Sequence, residues 1–258
     1  MLGNSQKIPE EFLDRMRKLF AEEEEWERFL ASLSEKPKRG LRLNLQKMKK
    51  AEKAGFSFEK WKEAWKLKAL FPEKEEMDFS EREEMDFPEG EGIDFSENRE
   101  YLVCEEESGC RAEIGRDPYH EGGLYYIQDP SAMEVVSGMH IRPFERCLDL
   151  CAAPGGKSLH MADRLDGHRG GFLLSNEYVG ERARILSQNA ERMGYSNLCV
   201  VNESPQNLAE KYPGFFSRIL VDAPCSGEGM FRKSEEAVAD WSPELVEKCV
   251  LRQKEILK

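Results

Sequence analysis

The chain has 258 residues, 40% of them apolar, which is enough for one large domain or two small ones with a true core. Seven cysteines without a Cys-x-x-Cys pair argue against a disulfide framework and a zinc site. No apolar leader opens the N-terminus and no stretch approaches membrane-spanning length, so a reducing cytoplasmic setting with neither membrane nor metal is expected. The formal net charge is −12, but the acids are unevenly spread.

Behind Pro9, the positions Phe12, Leu13, Met16, Leu19 and Phe20, then Trp26, Phe29, Leu30 and Leu33, follow helical spacing and predict two amphipathic helices with a polar junction at Glu22 to Glu25. Residues 35–68 carry twelve Lys/Arg against four Glu, a local charge of +8, with Phe56, Phe58, Trp61 and Trp65 interleaved. Clustered cations attract phosphate backbones and aromatic faces stack bases, so this is a candidate nucleic-acid surface; the same aromatics would equally serve as ordinary core. Residues 1–71 are expected to form a small α+β domain of RNA-binding type.

Residues 72–107 hold 16 acids and three bases, a charge of −13. Met77-Asp78-Phe79-Ser80-Glu81, Met85-Asp86-Phe87-Pro88-Glu89 and Ile93-Asp94-Phe95-Ser96-Glu97 repeat every eight residues. Neither helical nor strand periodicity is sustained, so a flexible acidic insert is expected. Without it the remaining chain is close to neutral, and the overall acidity does not exclude an RNA partner.

Residues 108–258 alternate strands and helices, the pattern of a parallel sheet whose ligands gather at the carboxyl ends of its strands. Tyr125 to Met133 reads as a strand entering a helix. The central stretch is Cys147-Leu148-Asp149-Leu150-Cys151-Ala152-Ala153-Pro154-Gly155-Gly156-Lys157-Ser158: a short strand, a small-residue loop, and a helix beginning near Ser158. Such a loop aims backbone N–H groups and the positive helix end at a ligand above the sheet. Gly156-Lys157-Ser158 also mimics the tail of a P-loop, but Cys151 occupies the position where that loop needs its first glycine. The next strand, Gly171 to Ser175, leads into Asn176-Glu177, a carboxylate about 20 residues past the glycines, the spacing that places an acid on ribose hydroxyls; a solvated Glu is the alternative. Further strands are predicted at Asn197 to Val201 and Arg218 to Asp222. Asp222-Ala223-Pro224-Cys225-Ser226-Gly227 follows, placing Cys225 in a tight, backbone-rich loop suited to stabilising a thiolate.

Together, Cys151 to Lys157 and Asp222 to Gly227 resemble the RsmB/NOP/Sun family of RNA cytosine-5 methyltransferases. Glu228-Gly-Met-Phe-Arg-Lys233, Tyr125 to Met133 and Arg39-Gly-Leu-Arg-Leu-Asn44 are similar to its bacterial RsmF type, which modifies small-subunit ribosomal RNA. The resemblance implies a Rossmann-like class I S-adenosylmethionine methyltransferase fold. It implies a cofactor site at Cys151, Ala152, Ala153, Pro154, Gly155, Gly156 and Lys157, with Glu177 on the ribose, Arg182 bracing it, and Asp222 between cofactor and base. The family's third acidic position falls at Asn202-Glu203-Ser204, where counting back from Asp222 favours Ser204 over Glu203 for the contact. The resemblance also implies that a cysteine thiolate attacks cytosine at carbon 6, which makes carbon 5 nucleophilic, and that a Pro-Cys cysteine, here Cys225, assists release.

The family's attacking cysteine lies in a Thr-Cys pair, and the sequence contains none. The final helix, capped by Ser242-Pro243-Glu244 and expected to bury Leu245, Val246, Cys249 and Val250, runs to Lys258. The sequence is therefore expected to be a C-terminally truncated piece with an incomplete sheet, keeping the cofactor half of the site. A P-loop nucleotidase and a non-catalytic RNA-binding or ribosome-assembly module are the competing expectations.

Overall fold

The computed structural model describes residues 8–69, 101–104 and 113–258. The first two helices are α1 (Glu10–Arg17) and α2 (Glu23–Ser34). Strand β1 (Gly40–Leu43) runs into Asn44, whose side chain accepts from the Lys47 N–H and caps α3 (Leu45–Lys53). After α4 (Phe58–Ala64) come β2 (Leu67–Ala69), β3 (Tyr101–Cys104), α5 (Pro118–Glu121) and β4 (Tyr125–Gln128). These four strands form an antiparallel sheet in the order β2-β3-β1-β4.

Three expectations change here. Phe58 and Trp61, candidate stacking faces for bases, are buried in the core beside Leu41, Leu43 and Met48. Trp61 is fixed further by its indole N–H, which donates to Asp117 Oδ2 at 2.8 Å. The antiparallel sheet needs a covering layer, and these aromatics supply it. Residues 101–104, inside the stretch expected as a flexible insert, form a packed strand between β2 and β1 with Leu102 and Cys104 facing inward; the surrounding acids hide four residues of strand-forming character. The eight-residue repeat lies outside the described residues. Finally, β4, expected to open the C-terminal unit, pairs with β1, so the first sheet reaches past the expected division at residues 72–107. Cys104 is disulfide-bonded, whereas Cys147, Cys151, Cys199, Cys225 and Cys249 are free thiols.

The second layer system begins with α6 (Pro130–Ser137) and continues through β5 (Arg146–Asp149), α7 (Gly156–Arg164), β6 (Phe172–Asn176), α8 (Gly180–Met193), β7 (Leu198–Val201), α9 (Pro205–Lys211), β8 (Arg218–Leu220), α10 (Glu235–Asp240) and α11 (Pro243–Ile256). Helices α5, α6, α9 and α11 start alike: Asp117, Asp129, Ser204 or Ser242 accepts a backbone N–H, and proline fills the first helical position, where no donor is needed. The strands are all parallel, ordered β7-β6-β5-β8, which is the Rossmann-like arrangement expected. Leu159, Met161, Leu173, Met193 and Cys147 pack the core on one face. In α11, Leu245, Val246 and Cys249 are only partly buried and Val250 is exposed, so the expected apolar face is half covered.

The two sheets meet through a buried polar seam. Asn44 Nδ2 donates to the Met193 carbonyl at 2.8 Å, Lys47 Nζ to the Arg192 carbonyl at 2.6 Å, and the fully buried Arg42 lies 3.9 Å from Asp163 on α7. The Tyr101 hydroxyl lies 2.9 Å from His160 Nε2, also on α7.

Candidate active site

Strand order reverses at β5: β6 and β7 lie on one side and β8 on the other. In open parallel sheets that switch leaves a crevice above the carboxyl ends of the strands. The loop after β5 and the loop after β8 both open into it, because β5 and β8 are hydrogen-bonded neighbours.

The first loop is stitched to the strands beside it. Leu150 N–H donates to the Leu220 carbonyl at 2.9 Å and Ala152 N–H to the Asn176 carbonyl at 2.8 Å. Gly155, at φ +116°, precedes α7, and a Cβ there would stand 3.1 Å from Leu186 Cδ1. Only glycine meets both conditions. Behind the loop, Asp149 is 1% exposed and its Oδ2 accepts from Ser158 Oγ at 2.6 Å, which in turn accepts from Ser175 Oγ at 3.0 Å. Burial raises the Asp149 carboxyl to about 7, with the Ser158 bond pulling the other way and the Asp222 charge adding to the rise. Burial likewise pushes the Cys151 thiol up to about 11, reinforced by Asp149, Glu177 and Asp222, so Cys151 is a packing and backbone residue rather than a thiolate.

Glu177, at the end of β6, is 3% exposed. Its Oε1 accepts from the Val179 N–H at 2.9 Å and its Oε2 lies 3.4 Å from Arg182 Nη1. Arg182 Nη2 donates to the Ala153 carbonyl at 2.9 Å, so one guanidinium ties the acid to the loop. Beyond Glu177 a cleft of about 600 Å³ is lined by Val179, Gly180, Val201 and Asn202, among others. Asn202 forms its wall by donating to the Glu177 and Tyr178 carbonyls. Neither candidate for the third acidic contact lines it. The Glu203 carboxylate is held by Lys211 at 2.8 Å and Asn207 at 2.9 Å, and the Ser204 hydroxyl caps α9. Asn202 is the residue that motif spacing alone does not single out.

Across the crevice, Lys157 Nζ donates to Asp222 Oδ2 at 2.7 Å. This pair joins the two loops, and it engages the ammonium that a P-loop would direct at phosphate. Cys225 is exposed three residues further on, with Gln253 Nε2 donating to the preceding Pro224 carbonyl at 3.0 Å.

Among the described residues, Asp149 Oδ1 and Gln128 Oε1 are buried around the crevice without a hydrogen bond, and Glu177 Oε2 faces only the Arg182 guanidinium at 3.4 Å. The Gln128 carboxamide packs on the start of α7, where a Cβ on Gly156 would lie 3.2 Å from Gln128 Nε2. The Tyr125 to Met133 stretch stands out in the sequence, but nothing there gives Gln128 a role. The Glu177 carboxylate and the Gln128 carbonyl oxygen are acceptors, so the complementary ligand at those two positions is one that brings donors.

Residues 137–258 match the family model described as 16S rRNA methyltransferase RsmB/F. The ribosomal RNA small subunit methyltransferase F of Pectobacterium carotovorum is 37% identical over 159 residues, covering 61% of this chain and 32% of that protein. The chain thus spans about a third of the length of the curated RsmF relatives it matches. Among solved structures, PH0851 superposes with TM-score 0.69 at 16% identity, covering 100% of this chain and 53% of the other. NSun6 from Pyrococcus horikoshii, solved with SFG, superposes with TM-score 0.62 at 16% identity, covering 96% and 78%. At these identities the structures establish the shared fold.

Proposed function

We propose that this chain provides the cofactor-binding part of an S-adenosylmethionine-dependent RNA cytosine-5 methyltransferase that acts on small-subunit ribosomal RNA. The observation that carries the reading is a glycine loop flanked by two buried acceptors, the Glu177 carboxylate and the Gln128 carbonyl oxygen, both with capacity to accept from a ligand. S-adenosylmethionine offers an ammonium and two ribose hydroxyls as donors and a carboxylate for the N-terminal end of α7. Cys151, Ala152, Ala153, Pro154, Gly155, Gly156 and Lys157 would hold its amino-acid end and Glu177 its ribose, with Arg182 fixing Glu177 in place. When bound, the cofactor supplies an electrophilic methyl group.

The protein's own part is positional. Asp222, fixed by Lys157, stands between the cofactor loop and the Cys225 loop, where it can accept a hydrogen bond from the exocyclic amino group of a flipped cytosine. Cys225, exposed in its turn, is the thiol that would assist release of product. The sequence has no Thr-Cys pair, so these residues contribute cofactor binding and release rather than the family's attacking thiolate. For the RNA backbone, the exposed lysines Lys49, Lys50, Lys53 and Lys60 on α3 and α4 offer sequence-independent phosphate contacts.

Calorimetry tests this directly. S-adenosylhomocysteine is expected to bind with one site per chain, and Gly155→Asp to abolish that binding. Binding of ATP with Mg²⁺, with none of S-adenosylhomocysteine, would overturn the reading in favour of a nucleotidase.

A further inference from the structure

The loop carrying Cys225 is anchored well beyond the thiol, by the other end of the chain. Gly227, at φ +80°, turns the backbone into a short 3-10 segment at Glu228–Met230. Phe231 then buries its ring against α1: it meets Phe12 edge-on at 5.0 Å between ring centres, and Phe12 meets Trp241 edge-on at 5.8 Å. Phe12, Phe231 and Trp241 are each buried. The Trp241 indole N–H donates to Glu228 Oε1 at 2.9 Å, which ties the turn itself into the cluster. From the end of α2, the Ser32 carbonyl accepts from Arg232 Nη1 at 3.4 Å. The rest of this apolar cluster comes from the same two stretches, including Leu13, Met16 and Phe29 on the N-terminal helices and Val238 and Val246 behind the loop.

We infer that α1 and α2 brace the Cys225 loop, with Phe12 the positioning residue through which the brace acts. The physical ground is that a turn as short as Gly227 to Met230 transmits the placement of Phe231 back to Cys225. An exposed loop with few apolar contacts of its own takes its order from whatever holds its exit. On the other side of the exit, Lys233 is ion-paired with Asp129, the cap of α6. The loop is therefore held between α1, α6 and α10, and α1 supplies the apolar share. The inference rests on the reading of Cys225 as a thiol of the site, but it concerns where that thiol is held and is tested without methyl transfer.

The experiment is nitroxide labelling of Cys225 in the 258-residue chain carrying Cys199→Ser, with the labelled position confirmed by peptide mass spectrometry. Phe12→Ala is expected to replace the slow-motion line shape with a fast one. It should also remove hydrogen-exchange protection from the Met230, Phe231 and Ser234 amides, which bond to Gly227, Glu228 and Met230 carbonyls. A label on Cys199 in a Cys225→Ser chain should not change. Phe12→Leu, which keeps apolar volume, should restore most of the slow component. Trp241→Phe, which removes only the bond to Glu228, should loosen the same label while the helices stay folded. An unchanged Cys225 spectrum in Phe12→Ala and Trp241→Phe, or equal loosening at Cys199, overturns the brace. Calorimetry with S-adenosylhomocysteine on the same proteins reads the proposed function separately: binding without loop loosening defeats only this inference.

Discussion

Asp149 is the residue at which the site's chemistry and the fold's stability are most directly linked. Its carboxyl is raised from 3.8 to about 7 by complete burial, so the folded chain keeps the proton over a range where the unfolded chain has lost it. The stability this group contributes is full below about pH 4 and is lost as pH rises towards 7, where the folded carboxyl also ionises. Each tenfold change in proton affinity is worth about 1.4 kcal/mol, which makes the loss on the order of 4 kcal/mol. Asp149→Asn keeps an acceptor for Ser158 and removes the titration. Urea denaturation at a series of pH values should therefore show the wild-type protein losing stability relative to the variant between pH 4 and 7, with the difference levelling off above that. A constant difference across the range would show that Asp149 ionises normally in the fold. The thiols give a second check. Cys147 is pushed up to about 12 and Cys151 to about 11, both chiefly by burial. At pH 8 iodoacetamide should therefore modify the exposed Cys199 and Cys225 first, as peptide mass spectrometry would show, leaving Cys151 protected despite its place in the cofactor loop.

The elements that position the site were readable because each depends on a local backbone rule. A strand that ends in small residues and glycine before a helix specifies a loop with free N–H groups, and the Gly155 conformation at φ +116° is one that only glycine adopts without strain. Gly155→Ala is expected to cost about 1–3 kcal/mol in unfolding free energy from backbone strain alone. It should also weaken S-adenosylhomocysteine binding, since the new Cβ presses on Leu186; unchanged affinity would mean the loop is not the seat. What the sequence concealed was set by tertiary contacts. The spacing of Phe58 and Trp61 among lysines suits an RNA surface and a covering helix equally, and only the antiparallel sheet beneath them decides. Likewise β3 is four residues long, too short for its alternation to stand out from an acidic background, and its partners are distant in sequence. The edge position of β8 follows from strand order, and it leaves Ile219 55% exposed. Ile219→Lys should reduce light scattering at high protein concentration while changing stability by less than about 0.5 kcal/mol, because it adds charge to an open edge without opening a core.

At the scale of the whole molecule, the two sheets are joined by polar groups that neither sequence motif announces. Arg42 on β1 has a side chain with no exposed surface, and the Asp163 side chain facing it at 3.9 Å is 5% exposed. Tyr195 also donates to Asp163, at 2.9 Å, so the carboxylate collects contacts from β1 and from the turn after α8. Two charges withdrawn from water in this way add little stability as a pair, but removing the carboxylate takes from the buried Arg42 its counter-charge on α7. The seam thereby makes each sheet's packing conditional on the other. Asp163→Ala is expected to lose about 3–5 kcal/mol, the usual cost of breaking such a pair from one side. The seam also predicts how the chain unfolds. Trp61 and Trp65 pack in or against the first sheet's core, so in a chain with Trp26 and Trp241 replaced by Phe the fluorescence reports that sheet, while far-ultraviolet circular dichroism reports both. With Asp163 intact in that background the two signals should follow one denaturation curve. In Asp163→Ala they should separate, because the parallel sheet, whose loops carry the cofactor site, no longer depends on the antiparallel sheet for its buried charge. Coincident curves in both proteins, with a loss under about 1 kcal/mol, would mean that apolar packing alone couples the sheets.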